Sequence, residues 1–248
     1  MAKVKTQAQI KLMLEAGKIL AACHRELLKK IVPGVTTMEI DRFVEQFIRD
    51  HGATPEQKGF HGYPYATCAC VNDVMCHGFP TDTPLRSGDC VTIDMVVNLN
   101  GWLADSAWSY TVGEVSQEVT DLLRVTKECL YIGIEQAVIG NRVGDISHAV
   151  EKHAQDNGYS IVREFTGHGI GQKMHETPHI PHYGPKGLGP LIRAGSVFTI
   201  EPILTTGKRH VFIDSDGWTA RTVDGSLSAQ YEHTIAVTTK GTLILTDQ

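Results

Sequence analysis

Apolar positions recur at helical spacing between Thr6 and Lys30, where Ile10, Met13, Leu14, Gly17, Leu20, Ala21, His24, Leu27 and Leu28 fall on one face. Thr6 and Gln9 stand just ahead of that stripe at the spacing of a capping box, in which each side chain accepts the other's backbone N–H. A second amphipathic helix is predicted from Thr36, with Glu39 as its capping partner, Ile40, Phe43, Val44, Phe47 and Ile48 as its apolar stripe, and an end near Gly52. Pro33-Gly34 separates the two. Residues 53 to 82 are rich in Gly, Pro and aromatic residues, with short strand-like runs. From Cys90 to Gly113 the period changes to two, and Asn100-Gly101 marks a two-residue type I′ hairpin turn, which needs positive φ at both central positions. That turn pairs Leu99 with Trp102, Val96 with Asp105 and Asp94 with Ala107. Asp94, Val96 and Asp105 then share one face, while Val91, Ile93, Met95, Val97, Trp102, Ala104, Trp108, Tyr110 and Val112 take the other.

The order helix, helix, strands is written twice. At an offset of 106, Gly34, Ile40, Val44, Glu45, Asp50 and Gly52 match Gly140, Ile146, Val150, Glu151, Asp156 and Gly158, with Glu39 over Asp145. At an offset of 107, RSGDCVTID (Arg86 to Asp94) lies over RAGSVFTIE (Arg193 to Glu201), and both strands end in an acid. Such self-similarity points to duplication. It implies one domain over residues 1–248 made of two α/β halves, about 1–113 and 114–248, related by an approximate two-fold axis. Their strands would share a curved antiparallel sheet covered on its outer face by helices.

Composition adds limits. With 42% hydrophobic and 21% charged residues over 248 positions, the chain has ample material for a core. No stretch reaches the ~20 apolar residues needed to cross a bilayer, and MAKVKTQAQIK lacks a signal-peptide core, so a cytoplasmic protein is expected. The six cysteines lack metal-finger spacing and read as reduced, buried thiols. A net charge of −5 without a long basic run argues against specific nucleic-acid binding.

The candidate chemistry lies on the polar strand faces. Val197, Thr199 and Glu201 share one face in the second half, as do Gln230, Glu232 and Thr234 in AQYEHTIAVT. A two-fold would bring Asp94, Asp105, Glu201 and Glu232 into one concavity, where like charges repel by several kcal/mol unless cations neutralise them. His168, among the glycines of EFTGHGIG, supplies a nitrogen ligand. A set of carboxylates and one imidazole suits Mn²⁺, Fe²⁺, Co²⁺ or Zn²⁺ in a catalytic site. HETPH, from His175 to His179, matches the H-E-x-x-H string of zinc proteases, but that motif needs a helix, and Pro178 with the flanking glycines and Pro181 opposes one. GHGIG lacks the spacing of a phosphate loop.

With TIDMVVNLNGWLADSA, TGHGIG, FTIEP and QYEHT in order, the chain resembles the type I methionine aminopeptidases, metallopeptidases of the pita-bread fold, over nearly its whole length. The resemblance implies a metallo-exopeptidase that removes N-terminal methionine from nascent proteins and peptides when the second residue is small. It implies Asp94, Asp105, His168, Glu201 and Glu232 as ligands of two divalent ions, with Asp105 and Glu232 bridging and a hydroxide held between the ions as nucleophile. Glu201 would move the proton, His175 would donate to the developing oxyanion and His77 would contact the scissile amide. Phe60, Tyr63, Cys68, Met174 and Trp218 would line the side-chain pocket along with His77 and His175. Backbone near Asn72, Val74 and Ser228 would form a candidate site for one monovalent cation, Na⁺ or K⁺. The ribosome is a candidate partner, no membrane is involved, and the working unit is expected to be a monomer.

Departures from the family pattern fall in the pocket. Phe60 stands where many relatives carry tyrosine, Gln57 where cysteine is common, and Met174 where an aromatic is common. Two rivals follow from the same motifs: an Xaa-Pro aminopeptidase or prolidase, which usually carries an extra N-terminal domain, and a non-catalytic binding module, which has generally lost ligands. The first helix begins near residue 6, leaving no room for such a domain, and none of the ligands is missing. The short span between His175 and Glu201 argues against the type II subfamily.

Overall fold

Reciprocal caps start the first two helices as expected. Thr6 Oγ1 accepts the Gln9 N–H at 3.3 Å and Gln9 Oε1 accepts the Thr6 N–H at 2.9 Å; Thr36 and Glu39 repeat the arrangement at 3.1 and 2.8 Å. The computed structural model describes residues 4–248, so the first three residues of the stretch read for a signal peptide lie outside it. Its first half contains α1 (Gln7–Lys30), α2 (Thr37–Asp50), β1 (Thr54–Pro55), β2 (Cys68–Val71), β3 (Val74–Cys76), β4 (Cys90–Leu99) and β5 (Trp102–Thr111). Next come α3 (Gln117–Gln136), α4 (Val143–Asp156), β6 (Ser160–Ile161), β7 (Gly167–Gly169), β8 (Glu176–Ile180) and β9 (Val197–Ile200). The chain ends with β10 (Ile203–Thr205), β11 (Val211–Ile213), β12 (Ala220–Thr222), β13 (Ser228–Gln230), β14 (His233–Thr238) and β15 (Gly241–Ile244).

The duplication is structural as well as textual. α2 and α4 begin and end 106 residues apart, as do β1 and β6. The Gly34 N–H donates to the Leu85 carbonyl at 2.8 Å, and the Gly140 N–H donates to the Ile192 carbonyl at 3.2 Å. Ahead of the two matched strands, the Arg86 N–H meets Asp89 Oδ2 at 2.8 Å and the Arg193 N–H meets Ser196 Oγ at 3.1 Å. Both turns save a backbone donor that the strand ladder cannot reach.

The β4–β5 hairpin has the expected register, Leu99 opposite Trp102, Val96 opposite Asp105 and Asp94 opposite Ala107. Asn100 and Gly101 have φ of 53° and 82°, the left-handed values a type I′ turn requires. Its apolar face packs on α1, α2 and α3 in one large core with Leu20, Leu27, Ile40, Val44, Leu122 and Leu130; full burial of each such side chain contributes about 1.5–3 kcal/mol. Two positions on that face differ from a plain apolar stripe. Trp102, at the twisted tip, packs with Ile10, Met13 and Val96 in a separate cluster. Ser106 is buried and faces His24, whose Nε2 lies 2.9 Å from Ser106 Oγ and whose Nδ1 lies 2.6 Å from Tyr110 Oη. His24 is thus a satisfied core histidine.

The sheet is less continuous than expected. Strands fall into separate ladders, chiefly β1-β4-β2 with β5 on β4, and β15-β14-β9-β7-β8. Between these two runs the seam that relates the halves. There the Glu232 N–H donates to the Ala107 carbonyl at 2.8 Å, while Thr234 Oγ1 accepts from the Asp105 N–H at 2.9 Å and donates to the Asp105 carbonyl at 2.8 Å. A hydroxyl that gives and accepts stands in for ladder bonds that the twist of the two sheets has pulled apart. Among the described residues no helix is long and apolar enough to cross a membrane, and all six cysteines are free and buried.

Candidate metal centre

Each candidate ligand reaches the seam from a different element. Asp94 and Asp105 project from one face of the β4–β5 hairpin. Glu201 lies one residue past β9, where its backbone N–H leaves the ladder and donates to His182 Nε2 at 3.0 Å. Glu232 lies between β13 and β14. His168, in β7, is flanked by Gly167 and Gly169, where a Cβ would stand 2.4 Å from the Thr199 carbonyl and 2.5 Å from the Thr177 carbonyl. Only glycine permits that packing of β7 against β9 and β8. The zinc-protease reading of HETPH fails: Glu176–Ile180 is a strand paired with β7, not a helix.

Asp105, His168 and Glu232 are buried and offer ligand atoms all within 4.8 Å of one another. His168 Nε2 is 3.6 Å from both Asp105 Oδ2 and Glu201 Oε1. Its Nδ1 lies 3.1 Å from the Gly169 carbonyl, which fixes the proton on Nδ1 and leaves the Nε2 lone pair for a cation. Burial, and then the neighbouring His175, lowers the His168 pKa to about 3. It is a neutral imidazole at physiological pH.

The carboxylates show the opposite shift. Burial raises the pKa of Asp94 to about 7 and that of Glu201 to about 8. Asp105 and Glu232 are raised further, first by burial and then by the other carboxylates. At an effective dielectric constant near 20, two such charges ~4 Å apart repel by about 4 kcal/mol. Asp94 Oδ1, Asp105 Oδ1 and Glu232 Oε1 are buried, and none has a hydrogen-bond partner. Buried oxygens of this kind cost free energy unless a cation completes them. Three orphaned oxygens, the further carboxylate of Glu201 beside them and a free imidazole nitrogen fit divalent ions.

The cluster forms the floor of a cavity of about 310 Å³. Phe60, Tyr63, Cys68, His77, Met174, His175 and Trp218 all line it. Tyr63 meets Trp218 edge-on at 5.1 Å, and its hydroxyl donates to the carbonyls of Thr67 and Gly78. His77, at φ 53°, lies 5.3 Å from the Phe165 ring, and burial lowers its pKa to about 4. His175 stands at the exposed mouth, its ring 4.4 Å from that of His168 and 5.3 Å from that of Phe60. The wall also includes Gln57, His61, Cys76, Val96, Phe165 and His179. Val96 was legible from its shared face with Asp94 and Asp105, and Gln57 from its departure from the family pattern; the others come from turns and strand ends that carry no periodicity. Asn72 and Ser228 adjoin outside this cavity, the Ser228 N–H donating to the Asn72 carbonyl at 2.8 Å, and Val74 follows on β3.

The pattern of metallopeptidase family M24 matches residues 11–239. The chain belongs to family M24. It is 46% identical over 242 residues to the methionine aminopeptidase 1 of Bacillus subtilis (strain 168), with 98% of each protein covered. The crystal structure of methionine aminopeptidase from Rickettsia prowazekii superposes with a TM-score of 0.98 at 40% identity, covering 99% of this chain and 100% of that one. The pita-bread architecture expected from the sequence therefore holds for this M24 chain. Prolidase from Pyrococcus furiosus shares that fold, with a TM-score of 0.80 at 22% identity over 65% of its own length.

Proposed function

We propose that this M24 chain is a metal-dependent methionine aminopeptidase that releases N-terminal methionine from peptides and nascent chains whose second residue is small. The observation that carries the reading is the set of orphaned oxygens on Asp94, Asp105 and Glu232 beside the free Nε2 of His168, at the floor of a cavity walled by aromatic and sulfur-bearing side chains. An unbranched thioether gains dispersion and sulfur–aromatic contacts in such a wall. Near-full coverage and 46% identity with the Bacillus subtilis methionine aminopeptidase support the same substrate class.

Asp94, Asp105, His168, Glu201 and Glu232 would hold two divalent ions, Mn²⁺, Fe²⁺, Co²⁺ or Zn²⁺. When bound, such a pair supplies a water of near-neutral pKa and polarises the scissile carbonyl. Thr199 Oγ1 donates to Glu201 Oε1 at 2.6 Å, which holds this carboxylate in place and leaves Oε2 to take the proton from the attacking water and return it to the leaving amine. His175 donates an N–H to the substrate carbonyl oxygen as charge develops there. His77, kept neutral by burial, contacts the scissile amide. Since Asp94 and Asp105 come from one half and Glu201 and Glu232 from the other, residues 1–248 act as one catalytic unit. Backbone near Asn72, Val74 and Ser228 takes a monovalent cation, and the ribosome is the partner that presents nascent chains.

Reconstitution of metal-free protein with each ion in turn, followed by assay on Met-Ala-Ser, Leu-Ala-Ser and Ala-Pro-Ala, tests the reading. Metal-dependent release of Met, with weaker release of Leu, is the expected result. A preference for Ala-Pro-Ala would move the chain to the Xaa-Pro class, and no hydrolysis with any ion would overturn the reading.

A further inference from the structure

Gln57 is a buried amide in the wall of the cavity, next to Cys68 and Val96. Its orientation is fixed by chemistry: the Val96 backbone N–H can only donate, so the atom facing it at 3.2 Å is Oε1. Nε2 then points to Cys68 and donates to its Sγ at 3.1 Å. A carboxamide nitrogen carries two protons. Among the described residues the second one meets no acceptor. It is held at both ends of the amide in a stretch of wall it shares with Phe60, Tyr63, Cys68, Val96, Met174 and Trp218, so this side of the pocket contains an N–H donor with spare capacity.

A thioether sulfur is a weak acceptor and takes little from such a donor. Its oxidised form carries an S–O group that is strongly polar and accepts well. An apolar pocket rejects that group because its desolvation is uncompensated; a pocket with a preset donor recovers the lost hydrogen bond. The geometry points to Gln57 as the residue that lets this protein accept N-terminal methionine sulfoxide as well as methionine. The inference rests on the aminopeptidase reading and deepens it by naming a second substrate class.

The test compares kcat/KM on Met-Ala-Ser, methionine sulfoxide-Ala-Ser and norleucine-Ala-Ser for the metal-loaded wild type, Gln57→Leu and Gln57→Glu. The leucine variant removes the donor but also strands the Val96 N–H. The glutamate variant keeps an acceptor for Val96 and, assayed at a pH where it is ionised, replaces the donor with a carboxylate that repels the S–O group. The wild type is expected to use the sulfoxide peptide within about tenfold of the methionine peptide, and both variants to lower the sulfoxide-to-norleucine ratio by about tenfold or more. Release of Met without release of the sulfoxide by the wild type would overturn the inference and leave the aminopeptidase reading intact. An unchanged ratio in both variants would also overturn it. Failure on Met-Ala-Ser itself would remove the parent reading and this inference together.

Discussion

Asp41 and Asp105 are both buried carboxylates, 4% and 5% exposed, and they are solved in opposite ways. Asp41 Oδ1 accepts the Ala66 N–H at 3.0 Å, the Thr67 N–H at 2.8 Å and the Thr67 hydroxyl at 2.9 Å. Asp105 Oδ1 accepts nothing. Burial raises both pKa values, but the three donors hold Asp41 back, whereas the neighbouring carboxylates push Asp105 further up. Spare bonding capacity, rather than burial, separates a residue built to bind something from one built to hold a loop.

The sharpest way to break this contrast is to remove the charge that the cluster depends on. Asp105→Asn or Glu232→Gln should reduce peptide hydrolysis to background and lower metal content, as measured by elemental analysis after gel filtration, because each removes a carboxylate charge from the cluster that would hold the ions. Full activity with tightly bound metal in either variant would show that these oxygens are not metal-binding.

Next in size is the response of the metal-free protein to pH. Asp94 and Glu201 have folded-state pKa values of about 7 and about 8, well above their ordinary carboxylate values, so the folded state keeps protons that the unfolded chain has already released. Their contribution is fully present below about pH 4 and is lost as the pH rises toward 8, at about 1.4 kcal/mol per pH unit for each proton retained. The metal-free Tm should therefore fall between pH 5 and pH 8, and divalent ions should reverse the fall. A Tm that rises over that range without metal would contradict the charge crowding.

Asp41→Ala tests the other side of the comparison. Stranding its three donors should cost about 3 kcal/mol in urea unfolding. Because the Thr67 carbonyl also accepts from the Tyr63 hydroxyl at 2.9 Å, the damage should reach the pocket and raise KM while metal content stays constant. Asp41→Asn keeps the accepting oxygen and should recover most of both losses. Smallest is His175→Ala, expected to lower kcat by about 10², or roughly 2.7 kcal/mol, with metal content unchanged. Loss of metal in that variant would make His175 a ligand.

Much of this was readable beforehand where chemistry is local. Asn100-Gly101 sets the hairpin register, and with it the shared face of Asp94 and Asp105; Thr6 and Thr36 announce their helices three residues ahead. The duplication is visible in letters because both copies still need the same turn before the same strand. What was hidden depends on contacts distant in sequence. Nothing near His182 reveals that its Nε2 receives the Glu201 N–H, and nothing near Thr234 reveals that its hydroxyl spans the seam. Trp102 alternates correctly yet packs elsewhere, because strand twist at the hairpin tip turns it away from the main core. His61, Phe165 and His179 reach the cavity from segments without any period.

The seam also governs when this chemistry can come into being. Asp105 meets Thr234 across 129 residues of chain, so joining those two ladders closes a long loop and is entropically a late event in folding. A growing chain that has just passed residue 200 already contains both aspartates and His168, with no Glu232 and no β14 to face them. Asp94 and Asp105 already crowd each other on the hairpin, and Glu201 and Glu232 add to that repulsion only when the second ladder docks. Ion capture and completion of the fold should therefore be kinetically coupled, with metal present during refolding accelerating the final phase and leaving the earlier, helix-forming ones alone.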